Sequence, residues 1–319
     1  MTSARAFLRR ILGAVAIWLF VSVFAFALGS LAPGDPAQMI LLRRNGEAPS
    51  AVDVRALRTE LGLDQPPVRR YVRWLTAAVR GDFGTSFRTG QPVFAELRTR
   101  LVASLLLAAA ATMVSFIIAL PVALLSAARR GLVTDHVVRV AALVGVSTPG
   151  YLVAYALILI FAVWFRVLPA AGGGGMRHVL LPALTLGLVS AAGLSRLLRA
   201  TLLDELNAEY MRTARAKGVS TWSAIVRHAL RNALNPVVTV SALRFGRVLS
   251  EAVIIETVFA WPGVGLAAVA AISDRDYPAI QGFMLLVATV FIMINLLVDL
   301  SYGAVDPRMR LGALPMERA

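Results

Sequence analysis

Cysteine is absent from this 319-residue chain, lysine occurs once and histidine three times. Each scarcity removes a class of chemistry. Without thiols there is no disulfide, thiolate nucleophile or thiolate metal site. Lys217 is the single lysine, and no Gly-x-x-x-x-Gly leads into it, so the phosphate-cradling loop of P-loop ATPases is missing. His136, His178 and His228 lie in separate segments with no His-Glu-x-x-His and no second ligand four residues on, which argues against zinc. No histidine falls inside an apolar run to activate a membrane-embedded serine, and Asp299 has no aspartate partner in another run. No catalytic, cofactor-binding or metal-binding residue is assigned, and the chain is not expected to be an enzyme.

Charge is also sparse. Charged residues make up 16% of the sequence against 58% hydrophobic ones, and mean hydropathy is +0.73. That composition belongs to integral membrane proteins. Runs free of formal charge extend over 11–32, 101–128, 140–165 and 277–298. Each is long enough to cross a bilayer as a helix, which takes about 20 residues. The run 179–195 is shorter but extends through Arg196 and Arg199 if these snorkel to the interface. A sixth stretch, 233–259, is apolar overall yet carries Arg244, Arg247, Glu251 and Glu256. Six transmembrane helices in an all-α membrane protein are predicted.

The formal net charge of +14 does not indicate nucleic-acid binding, because the cations sit in the gaps between apolar runs. With the N-terminus in the cytoplasm, 14 Lys/Arg fall in the N-tail, the 129–139 loop, the 204–232 segment and the C-tail. The two short loops on the other side then hold only Arg166, Arg177 and Arg275. This is the positive-inside asymmetry, and an even helix number returns the C-terminus to the cytoplasm. The long segment 37–100 is also Arg-rich but falls outside, and long loops cross largely regardless of charge. The first 32 residues resemble a signal peptide, with Ala25 and Ala27 flanking Phe26. However, the 22-residue apolar run exceeds a signal core, so a retained first helix is expected.

Four regions follow from this pass. Residues 1–36 form the cytoplasmic tail and first helix, ending in the breaker-rich LAPGDP of 31–36. Residues 37–100 form an extracytoplasmic layer of two amphipathic helices, 52–61 and 68–79, too small to bury a core alone. Residues 101–303 form a five-helix core, and 304–319 a cytoplasmic C-tail. Within the core, STPG at 147–150 separates a surface helix, 135–146, from the following crossing. Gly172–Gly175 is a flexible turn, lacking the strand and lysine that a phosphate cradle needs. A short helix should follow WPGVG, 261–265, and run to Ile272.

The most informative segment is the polar island 204–232, DELNAEYMRTARAKGVSTWSAIVRHALRN. A simple reversal needs only a few residues, whereas this one has the pattern of two short helices around a bend. Gly218 supplies the positive φ that ends the first, and Ser220 caps the second. Arg212, Arg215 and Lys217 suit the C-terminal dipole of the first, and Arg227, His228 and Arg231 that of the second. The island fits a surface gripped by another protein. It also fits an interfacial loop whose arginines only set topology.

On the fifth span, Arg244, Arg247 and Glu251 at i, i+3 and i+7 share one face, and Arg247 and Glu251 are spaced for an ion pair. Such charges cost about 2.5–3.5 kcal/mol each at mid-bilayer, so they should face a wet cavity or a partner. A transport-path wall and a structural pair at a helix contact both satisfy this.

Glu209-Tyr-Met-Arg-Thr-Ala-Arg-Ala-Lys-Gly218, followed by Arg227-His-Ala-Leu-Arg-Asn-Ala-Leu-Asn-Pro236, resembles the coupling loop of ATP-binding-cassette importer permeases. More narrowly, it is similar to the first of the two permeases in dipeptide, oligopeptide and nickel importers. The general pattern is Glu-Ala-Ala, three residues, then Gly. Ala214 and Gly218 match it, while Arg212 and Thr213 replace the Glu and first Ala, as is common in the peptide branch. LGLDQP at 61–66, YVRWL at 71–75 and GDFGTS at 81–86 resemble that branch's external segment. ETVFAWPGVG at 256–265, RDYP at 275–278 and DPR at 306–308 resemble its C-terminal third.

The resemblance implies a type I importer permease fold of six helices in the bacterial inner membrane. It implies a second permease, two cytoplasmic ATPases that bind ATP and magnesium, and an extracytoplasmic substrate-binding protein. Glu209, Tyr210, Arg212, Thr213, Ala214, Lys217, Gly218 and Ser220 would then contact an ATPase, and Arg244, Arg247 and Glu251 would line the path or the permease interface. The expected solute is a short peptide; nickel chelates, glutathione and other small solutes share the scaffold. An ion-driven secondary transporter is the alternative class, and it would need discontinuous helices and ionisable coupling sites.

Overall fold

The computed structural model describes residues 2–31, 35–45 and 47–305. The DPR motif and the C-tail from 306 onward lie outside the described residues. Among those described, the structure is helical apart from turns and one isolated bridge, Thr85 to Pro92. In chain order the helices are α1 (Thr2–Leu31), α2 (Pro36–Asn45), α3 (Ala51–Glu60), α4 (Pro67–Val79) and α5 (Val93–Ala128). Then come α6 (Val133–Ser147), α7 (Gly150–Leu157), α8 (Met176–Asn207), α9 (Glu209–Ala216) and α10 (Thr221–Ala224). Last are α11 (Leu230–Val258), α12 (Val264–Ser273) and α13 (Tyr277–Val305). The described residues divide into two compact units, one within 1–101 together with 267–293 and one of 102–266 with 294–305.

Four helices are long and apolar enough to cross a membrane: α1, α5, α8 and α13. The pair α6 and α7, the latter continuing as a π-helix to Trp164, makes a fifth if counted as one span despite its 104° bend. The bend falls at Thr148-Pro149, where proline has no N–H for the helix ladder and disfavours helix in the residue before it. The helix α11 is 29 residues long, but its five charged residues, Arg231, Arg244, Arg247, Glu251 and Glu256, keep it out of the apolar class.

In the first unit, α3 starts at Ser50, whose hydroxyl oxygen accepts from the Asp53 N–H at 3.2 Å, a side-chain N-cap. The short helix α2 precedes the two helices expected in this segment, and α5 begins at Val93, before the apolar run itself. The amphipathic α4 buries an aromatic face against α1. Tyr71 and Trp74 contact the Phe26 ring at centroid distances of 5.5 and 5.8 Å, and the Tyr71 hydroxyl bonds Ser22 at 2.8 Å. Trp18 of α1 donates its Nε1–H to Thr289 of α13 at 3.0 Å.

Two of the family-like motifs meet in this unit. The Asp276 side chain, only 1% exposed, accepts from the Ser86 hydroxyl at 2.5 Å and from the backbone N–H groups of Phe87 and Arg88 at 3.1 and 3.2 Å. It thereby fixes the turn after GDFGT to the start of α13. Neither motif reveals the other in sequence.

The second unit is a bundle around α8, which packs on α6, α7 and α11. Gly187 admits Val114 of α5, since a Cβ there would meet Val114 Cγ1 at 2.4 Å. Arg199 of α8 lies in a buried polar cluster. Its Nε and Nη2 donate to the two Asp135 carboxylate oxygens at 2.8 Å each, while the Ser126 hydroxyl donates to Asp135 Oδ1 at 2.5 Å. The Gly131 N–H donates to Oδ2 at 3.1 Å, so one carboxylate joins the end of α5, the following turn, α6 and α8.

The Glu256 side chain, 1% exposed, serves a similar purpose at the end of α11. It accepts from the Ser104 hydroxyl at 2.5 Å and from the N–H groups of Gly265 and Leu266, at the start of α12, at 2.7 and 3.2 Å. Its close approach depends on Gly263, where a Cβ would stand 2.2 Å from Glu256 Oε1.

Candidate functional site

The island 204–232 is mounted on the core rather than hung from it. Met211, Ala224, Ile225 and Ala229 are buried against Leu198, Leu202 and Leu206 of α8 and Ala119, Ala123 and Ala127 of α5. Met211 is fully buried, a placement the residue pattern does not predict. Its apolar side chain three residues before Ala214 was the available signal, obscured by the polar neighbours on both sides.

The opposite face of α9 is open. Glu209, Tyr210, Arg212, Thr213, Lys217, Gly218 and Ser220 are all exposed, and Ala214 lies on the same short helix. Gly218 has φ +79°, and a Cβ built there meets nothing within 4 Å. Glycine is therefore favoured by backbone conformation and not by crowding. Ser220 caps the next helix, accepting from the Ser223 N–H at 3.4 Å.

The second island helix does not end as expected. Thr221–Ala224 passes through a π-helical stretch, Ile225–Ala229, directly into α11. Ala224, Ala229 and Leu230 all keep right-handed helical dihedrals, so the backbone never breaks. Arg227, His228 and Arg231 therefore sit within a continuous helix and not at a C-terminal dipole. The π turn accommodates one extra residue per turn, and nothing in the residue pattern announced it.

One polar cluster fixes where α9 begins. The Tyr210 hydroxyl donates to the Glu205 carboxylate, and Asn232 Nδ2 lies 3.3 Å from both Glu205 Oε2 and the Tyr210 hydroxyl. These residues join the end of α8, the start of α9 and the start of α11. Desolvation of the phenol, with Glu205 beside it, raises the Tyr210 pKa, so it is a neutral donor across the physiological range. Tyr210, Trp222 and Val226 are 41%, 54% and 39% exposed, an uncovered apolar group amid the cations. Such a surface, apolar in parts and rimmed by charge, is suited to another protein.

The charges of α11 separate into two environments. Arg244 is half-buried beside α8, where a Cβ at Gly193 would come within 2.5 Å of its Nη1. Arg247 and Glu251 are exposed, and among the described residues no ion pair joins them, so their spacing does not close into the expected pair. Glu256, on the same helix, is the buried carboxylate described above. The sequence shows its charge but not its role, although the glycines of WPGVG signal a close approach. No group of three or more His, Asp or Glu able to hold a metal occurs among the described residues.

Residues 119–311 match the family described as binding-protein-dependent transport system inner membrane component, and residues 3–108 match its N-terminal region. The chain belongs to this family of ABC importer permeases. It is 37% identical over 333 residues to the probable D,D-dipeptide transport system permease protein DdpB of Escherichia coli K12, covering 95% of this chain and 97% of that protein. It is 38% identical over 303 residues to the glutathione transport system permease protein GsiC of the same strain, covering 95% and 98%. GsiC of Shigella flexneri serotype 5b stands at the same identity and coverage. The permease is thus a multi-pass inner-membrane transport component, and these relatives are named as permeases.

Proposed function

We propose that this permease is the first of two such subunits in an importer of short peptides, and that it hands ATP-driven motion to the membrane through the 204–232 island. The observation that carries this reading is the island's construction. An exposed face bearing Tyr210, Arg212, Lys217 and Trp222 stands on the buried residues Met211 and Ile225. Force applied to that face reaches the core of the second unit with no flexible connector between them. The reading counts α11 as the fifth of six transmembrane helices, with both termini in the cytoplasm and residues 37–100 outside. ATP and magnesium belong to two partner ATPases, and an extracytoplasmic binding protein delivers solute.

D,D-dipeptides and glutathione, the solutes in the relatives' names, are both short peptides, which favours peptides over nickel chelates. The near-equal identities to the two relatives leave glutathione as the second solute reading. The test is reconstitution of this chain with a second permease, both ATPases and the binding protein in liposomes. ATP-dependent accumulation of a labelled dipeptide is expected, with no ATP binding or hydrolysis by this chain alone. Lysine-dependent ATP turnover by the single chain, or dipeptide uptake driven by an ion gradient without ATP, would remove the reading.

Gly218 gives a sharper check on the island. Valine at φ +79° is strained by about 1–2 kcal/mol or more, with no steric contact to confuse the result. Gly218→Val is expected to leave the assembled membrane helices intact while lowering uptake per ATP hydrolysed. Wild-type uptake together with wild-type stimulation of hydrolysis by loaded binding protein would rule out a coupling role for this bend.

A further inference from the structure

Arg244 is a charge without a counter-charge. It stands within a membrane-length helix, is half-buried, and among the described residues makes no ion pair or hydrogen bond. An arginine left in that condition in a bilayer is costly, so a partner from outside the described residues is to be expected. Arg244 lines a small cleft in the second unit with Thr112 and Ser115 of α5, Ser190 of α8 and Ser241 of its own helix. No carboxylate lines it.

The hydroxyls divide by what they have left to offer. Thr112, Ser115 and Ser241 donate to their own helix carbonyls, of Ala108, Thr112 and Val237, at 2.8, 2.7 and 2.7 Å. They retain only lone pairs, which suit spare guanidinium N–H groups directly or through water. Among the described residues Ser190 has no such bond, so its hydrogen is left to give. The free donors in the cleft are therefore a planar guanidinium and one hydroxyl, which matches the two oxygens of a carboxylate. Gly193 leaves the room that the guanidinium occupies, because a Cβ there would collide with it.

We propose that Arg244 and Ser190 form an anion-selecting subsite that takes the carboxylate of the solute during transit. A neutral alternative would leave the half-buried guanidinium unpaired, and a site built around an unpaired polar group discriminates against a ligand that lacks its complement. The proposal rests on the importer reading only in naming a solute as the source of the carboxylate. Arg247 and Glu251, both exposed on the same helix, are better placed than Arg244 to meet a second permease.

The native chain has no cysteine, so Ser190→Cys provides a single reporter beside the guanidinium. The assembled importer would be exposed to an anionic (sulfonatoethyl) and a cationic (trimethylammonioethyl) methanethiosulfonate, with and without ATP. In at least one state the anionic reagent should react faster, and adding Arg244→Gln should lower the anionic-to-cationic rate ratio about tenfold. Arg244→Lys, which keeps the charge, should retain most of the ratio and guards against misreading a folding defect. Glycylglycine should slow the reaction more than its C-terminal amide at matched concentration.

No reaction in either state, a ratio unmoved by Arg244→Gln, or equal protection by acid and amide would overturn the proposal. So would charge selectivity in the isolated chain that vanishes on assembly, which would assign the anion to the second permease. Labelling needs no transport, so absent ATP-driven uptake with selective labelling intact would remove the importer reading and leave the anion subsite standing.

Discussion

Arg199→Leu is expected to lose about 3–5 kcal/mol of stability, the usual cost of removing one partner from a buried ion pair. The reason lies in what stays behind. The Asp135 side chain is 2% exposed and would keep its charge with only the Ser126 hydroxyl and the Gly131 N–H to answer it. Leucine roughly fills the aliphatic volume of the arginine stem, so little of the loss would come from packing. The measurement is thermal unfolding of the purified chain in detergent, read by loss of monodisperse protein. The Asp135→Leu and Arg199→Leu double variant should recover most of the loss, because an apolar pair leaves no stranded charge. A single variant that melts with wild type, or a double variant worse than either single, would contradict this account.

Glu256→Leu is expected to be comparably damaging for the complementary reason. Here the acceptor is removed and three donors remain: the Ser104 hydroxyl and the N–H groups of Gly265 and Leu266. Each buried donor left without a partner costs about 1–3 kcal/mol. Glu256→Gln keeps one oxygen and should fall between Leu and wild type. Gly263→Ala, which pushes a methyl group into the carboxylate, should approach the loss seen with Leu while leaving Glu256 itself unchanged. Protein yield and melting temperature in detergent rank the series. Equal stability across all four proteins would mean that the carboxylate does not hold α12 to α11.

Much of this fold is legible in composition and period, because a membrane helix must satisfy its own backbone and be apolar over its length. The runs leading to α1, α5, α8 and α13 are of that kind, and WPGVG signals the short α12. Segment 68–79 announces α4 by its amphipathic pattern. What sequence does not show is which segment meets which. Ser86 with Asp276, Ser104 with Glu256, and Ser126 with Asp135 and Arg199 are single polar contacts, and period specifies a face without naming its partner. At the candidate site, the glycine of the bend and the exposed face of α9 could be anticipated from residue types. The buried Met211 could not, because its neighbours are polar. The expected Arg247–Glu251 pair failed because spacing only permits contact, and two exposed side chains gain little from making it.

The absence of a break between Trp222 and Glu256 has a mechanical meaning. From Thr221 to Val258 the backbone is helical throughout, through the π stretch and into α11. At about 1.5 Å per residue this is a rod more than 50 Å long. It is interrupted at two points, the π turn, where the hydrogen-bond ladder shifts register, and Pro236, which has no N–H to give to that ladder. A displacement of Trp222 can thus be delivered to the far end as tilt or torsion without first being dissipated in a loop. Arg244, set partway along the same rod, would be swept with it.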